Sequence, residues 1–119
     1  MRHKRLYLLI LAMISTFFWY CSGADNPFQP PANTTQNVSI ISNGFSPKNV
    51  TVSPGTTVQW TNDDNKVHTV DSGAPMSPTA EFSSSNLDPG GRFSETFSNP
   101  GTFAYYCLLH SETGSVRVQ

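Results

Sequence analysis

A chain of 119 residues allows one small domain and excludes an enzyme built from two lobes. Only 13% of the residues are charged, while Gly and Pro number 8 and 9, which favours short strands joined by turns over long surface helices. With 7 basic and 8 acidic residues, the chain has no cationic footprint for nucleic acid.

The N-terminus reads as an export signal. Met1-Arg-His-Lys-Arg5 supplies a basic start, and Leu6 to Tyr20 forms an apolar run short of the ~20 residues a membrane span needs. Ser22-Gly-Ala24 offers small residues for cleavage after Ala24, so residues 1–24 are assigned to a signal peptide. The competing assignment is a lipid or membrane anchor at Cys21, against which the bulky Trp19-Tyr20 pair counts. Both place the domain outside the cytoplasm, periplasmic or extracellular, either free or tethered to a membrane. From Asp25 onward only Lys48, Lys66, Arg92 and Arg117 face eight carboxylates.

Residues 25–36 contain three prolines and no period, and are expected to form a disordered tether. The folded domain is placed at residues 37–119. There Val38 and Ile40, Val50 and Val52, and Val58 and Trp60 recur at period two, the signature of half-buried strands. Pro54-Gly55 marks a turn between the second and third sets. Asp63-Asp-Asn65 marks another, before a short strand around His68 to Val70. Ser72 to Asn86 is rich in Ser, Pro and Gly and reads as a long irregular connection. Arg92–Phe97 reads as a strand on which Glu95 shares a face with Phe93 and Phe97, against simple alternation. Phe103, Tyr105 and Cys107 are expected to point inward, and Val116 and Val118 to close the chain. The pattern predicts an all-β sandwich of about seven to eight strands.

Cys107 is the single cysteine of this domain, so it has no internal disulfide partner in an oxidising compartment. His68 and His110 are its two histidines. One soft thiolate and two imidazoles make the trigonal donor set of copper electron-transfer sites, the sulfur suiting Cu(I) and the nitrogens Cu(II). Structural zinc wants four Cys or His ligands, where three exist. A Cys–His nucleophile would need an orienting third residue and a cleft. The plain alternative is a small buried cysteine with two incidental histidines.

Four stretches carry a resemblance to a known family. Phe45-Ser-Pro-Lys-Asn-Val-Thr-Val52, Pro54-Gly-Thr-Thr-Val-Gln-Trp60-Thr-Asn62, Val67-His-Thr-Val70 and Pro100-Gly-Thr-Phe-Ala-Tyr-Tyr-Cys107-Leu-Leu-His110 resemble the plastocyanin/azurin-type cupredoxins. The nearest likeness is to small amicyanin- and plastocyanin-like members, and it spans residues 38–118. The resemblance implies a Greek-key sandwich and one type 1 (blue) copper ion held by His68, Cys107 and His110. It also implies one-electron exchange between redox partner proteins, with no catalysis of its own. Such a domain is expected to work as a monomer.

The chain departs from the family pattern in lacking a methionine shortly after the second histidine. Glu112, Thr113, the Val67 carbonyl or nothing would then take the axial place, and Met76 is assigned to loop packing. Copper storage, delivery or sensing is the alternative function, and a metal-free adhesion sandwich a third.

Overall fold

The computed structural model describes residues 34–119, so the signal or anchor expected at 1–24, and the tether as far as residue 33, lie outside the described residues. Among the described residues nine strands build two facing sheets. They are β1 (Thr35–Ile41), β2 (Gly44–Ser46), β3 (Asn49–Val52), β4 (Thr56–Asn62), β5 (Asp71–Ala74), β6 (Ser77–Ser83), β7 (Arg92–Phe97), β8 (Gly101–Tyr106) and β9 (Thr113–Val118). One sheet runs β2-β1-β4-β7 and the other β3-β9-β8-β5-β6. β1 pairs parallel to β4, and β3 parallel to β9, while the remaining pairs are antiparallel. The all-β Greek-key sandwich expected from the sequence is the fold observed. Among the described residues no helix is long and apolar enough to cross a membrane.

Period-two alternation explains which strand faces meet. On β4 every second residue, Thr56, Val58, Trp60 and Asn62, is buried. Val38 and Ile40 of β1 lie beside them, and Val50, Val52, Val116, Val118 and Tyr105 come from the opposite sheet. Trp60 sits at the centre, its ring 5.2 Å from Tyr105 and stacked 5.7 Å from Phe93. Such aromatic pairs contribute beyond the area they bury.

The structure corrects the sequence reading at four places. β1 begins at Thr35, not Asn37, because Thr35 and Gln36 pair with Thr57 and Val58 of β4. Thr35 and Gln36, expected in the tether, therefore belong to the sheet. Ser72 to Asn86 is mostly a hairpin of β5 and β6 with a bulge, not an irregular connection. Its ladder is completed by the Ser72 hydroxyl, which accepts the N–H groups of Glu81 (2.7 Å) and Phe82 (3.0 Å). Gly73 at the bulge has φ +105°, and a Cβ there would lie 2.5 Å from the Ser77 carbonyl oxygen. Around His68 there is a single bridge to Leu87 in place of a strand. Met76 packs against nothing: it is 95% exposed at the hairpin turn.

Glu95 also finds its explanation here. β7 is an edge strand, and Glu95 lines the open groove beside Phe82, Phe97 and Phe103 where the sandwich meets water. A carboxylate can share that face because it is only half-buried.

Candidate metal centre

The site lies at one end of the sandwich, where three connections converge. Cys107 follows the last residue of β8, and its side chain is fully buried. The loop from there to β9 is closed at both ends. The Cys107 N–H donates to the Glu112 carbonyl, and the Ser111 N–H donates to the Cys107 carbonyl, each at 2.8 Å. Ser111 takes φ +64° to make the reversal, and His110 just before it is exposed. His68 comes from the connection between β4 and β5. Its N–H and carbonyl both bond to the Leu87 backbone, at 3.1 and 2.8 Å.

These connections bring three donor atoms into a triangle. His68 Nδ1 lies 3.7 Å from Cys107 Sγ, His110 Nδ1 lies 3.6 Å from the same sulfur, and the two nitrogens are 3.3 Å apart. Atoms so spaced could share one ion, since bonds from a metal such as zinc run to about 2.0–2.1 Å for imidazole nitrogen and about 2.3 Å for thiolate sulfur. Glu112 joins the group, its Oε2 3.9 Å from each Nδ1. All four donor atoms lie within 4.8 Å of one another. Of the expected axial candidates, Thr113 is exposed on β9, whereas Glu112 is in the cluster; Met76, expected to pack in its loop, stands out in solvent.

Residues outside the triangle set its chemistry. The His68 Nε2 lies 2.8 Å from Asp64 Oδ2. A carboxylate only accepts, so Nε2 donates to Asp64, and Nδ1 is the ring nitrogen on the side of the sulfur. The hydrogen bond from His68, with that from the Asn65 N–H, holds the Asp64 carboxyl below its ordinary range. The Thr69 N–H points at Cys107 Sγ from 3.4 Å, while the Thr69 hydroxyl accepts the Leu108 N–H at 2.8 Å. Asn62 ties the loop to the sheet. Its Nδ2 donates to the carbonyls of Lys66 (2.7 Å) and Leu87 (2.8 Å), and its Oδ1 accepts the Asp64 N–H.

Sequence reasoning found the triangle and missed this outer ring. A carboxylate four residues before a candidate histidine was a usable signal for Asp64. A polar residue on the inward register of β4 was one for Asn62.

A small Greek-key sandwich with one buried cysteine and two histidines gathered at its end defines a class of mononuclear metal proteins. The cupredoxin-like domain family matches residues 9–118, and the chain belongs to that family. A purple cupredoxin from Nitrosopumilus maritimus is 32% identical, with a TM-score of 0.67 over 71% of this chain and 99% of that one. The Cu(I) form of an amicyanin mutant is 27% identical, with a TM-score of 0.65 over 74% of this chain and 85% of that one. A copper-containing nitrite reductase from Thermus scotoductus is 29% identical, with a TM-score of 0.62, but only 23% of that chain is covered. Copper is the cofactor of the family, and the cluster of His68, Cys107 and His110 is able to hold a metal ion.

Proposed function

We propose that this protein is a one-electron carrier working outside the cytoplasm, with His68 Nδ1, Cys107 Sγ and His110 Nδ1 as its copper ligands. The observation that carries the reading is the triangle of donor atoms with edges of 3.3, 3.6 and 3.7 Å. Bound there, copper supplies a Cu(I)/Cu(II) couple. The chain's part is to hold the three donors still, so that neither oxidation state imposes a large rearrangement. The Cys107 N–H and the His68 backbone bonds do this from the two sides of the site. The apolar run before Ser22-Gly-Ala24 supports export, by cleavage or by anchoring.

Asp64 is a positioning residue in this reading. Asp64→Ala frees the His68 ring to take the other tautomer and is expected to weaken copper binding roughly 10–100-fold. Competition with a chelator of known affinity reads this directly. Unchanged affinity would show that the His68 ring is held by the Leu87 bridge alone.

Electrons are expected to enter and leave through His110. Its side chain is 33% exposed, whereas His68 is buried, and Leu108 and Leu109 beside it are 62% and 50% exposed. A small apolar rim suits a redox partner protein that docks briefly and leaves. Leu109→Glu should slow self-exchange and partner reduction at least tenfold while copper content stays at one per chain. Unchanged rates would remove this face from the pathway. The same measurement tests the function itself: a copper-loaded chain with no reversible one-electron couple would favour storage or delivery.

A further inference from the structure

We propose that the Glu112 carboxylate is the fourth donor to the metal, an anionic oxygen in the place a neutral thioether would otherwise fill. The inference rests on reading His68, Cys107 and His110 as the other three ligands.

Backbone geometry brings Glu112 to the site. The loop leaves Cys107, reverses at Ser111 and re-enters the sheet at Thr113, with the Glu112 carbonyl bonded to the Cys107 N–H. Successive side chains then point to opposite sides, so Thr113 is exposed and Glu112 turns inward. Its Oε2 stands off the edge joining the two histidine nitrogens, 3.9 Å from each. At that separation a metal between them is within reach of the carboxylate after a small side-chain movement.

Burial makes the placement informative. Glu112 Oε2 is shut off from solvent and has no hydrogen-bond partner. Among the described residues no Lys or Arg lies within ion-pairing distance of it. A desolvated carboxylate oxygen with no donor is costly, and the imidazole nitrogens 3.9 Å from it are of the kind that bind metals. A cation at the centre relieves all four together. No thioether competes, since the one methionine among the described residues, Met76, stands in solvent.

Charge fixes the consequence. Thiolate and carboxylate together neutralise a divalent ion, whereas Cu(I) leaves a net negative charge in a buried site. The carboxylate therefore favours Cu(II) over Cu(I) and lowers the potential of the couple. It also completes the four-donor Cys, His and carboxylate set that tetrahedral Zn(II) or Co(II) takes.

The test uses the chain carrying Glu112→Gln or Glu112→Met, loaded separately with Cu(II), Cu(I) and Co(II). Glu112→Gln should weaken Cu(II) binding at least tenfold with Cu(I) binding changed less than threefold. Each tenfold loss on the Cu(II) side alone raises the potential by about 59 mV. The visible bands of the Co(II) form and the copper hyperfine splitting in paramagnetic resonance should shift in both variants. If potential, Co(II) bands and hyperfine splitting all match wild type, Glu112 is not a ligand. If the potential rises while both spectra stay unchanged, the carboxylate acts only through its field, and the proposal is equally overturned. Failure of the underlying three-ligand reading looks different: wild type itself would then lack sulfur-to-copper absorption.

Discussion

Cys107→Ser is expected to abolish the intense thiolate-to-copper absorption completely and to leave a folded β-sandwich. Serine offers a hard hydroxyl that does not ionise near neutral pH, so the soft anionic donor of the set disappears. The fold should survive because the substitution exchanges one small buried atom for another. The Thr69 N–H now pointing at Sγ from 3.4 Å would meet a hydroxyl oxygen. The cost of burying that hydroxyl with a partner is about 1–2 kcal/mol. Titration of purified variant and wild type with Cu(II), followed optically, gives the answer. Persistence of the absorption in the variant would refute the ligand assignment, while loss of the circular dichroism of the sandwich would make Cys107 a core residue first.

Trp60→Ala should be the most damaging single change to the fold. Trp60 is fully buried, and Phe82, Phe93, Phe97 and Tyr105 all pack around its ring. Removing it leaves a cavity walled by both sheets, at a cost of about 3–5 kcal/mol. For a domain of this size that lowers the melting temperature by more than about 10 °C. Trp60→Phe should recover most of the loss. Phenylalanine keeps an aromatic ring against Phe82 and Phe93 and leaves only part of the indole's space unfilled. Thermal or urea unfolding of the two variants decides the matter. A loss below about 1 kcal/mol in Trp60→Ala would mean that the core closes without this ring. The metal site should feel the change too, since Tyr105 packs edge-on against Trp60 two residues before Cys107.

The strands with a buried side were legible along the chain. Val38 and Ile40, Val58 and Trp60, and Val116 and Val118 recur at period two because a pleated strand sends alternate side chains to one face. That relation is local, and it needs no knowledge of what the face packs against. The metal triangle was legible for a different reason. Cysteine and histidine are scarce in this domain and few other side chains offer soft sulfur or imidazole nitrogen, so Cys107, His110 and His68 stood out before their positions were known.

What tertiary structure alone decided involves residues of common types whose partners lie far away in sequence. Ser77–Ser83 shows no apolar alternation, because β6 is an edge strand with nearly every side chain exposed. It is a strand because β5 supplies hydrogen-bond partners and Ser72 fills the bulge. Thr35 and Gln36 belong to β1 only because β4 lies beside them. Asp64 and Asn62 carry turn-forming side chains, and their roles appear once His68 and Leu87 are brought within hydrogen-bonding distance. Glu112 is one of eight acidic residues until the Ser111 reversal sets its oxygen 3.9 Å from two histidine nitrogens. A carboxylate is ordinary on a surface, and only burial without a hydrogen-bond donor makes it a metal's counterpart.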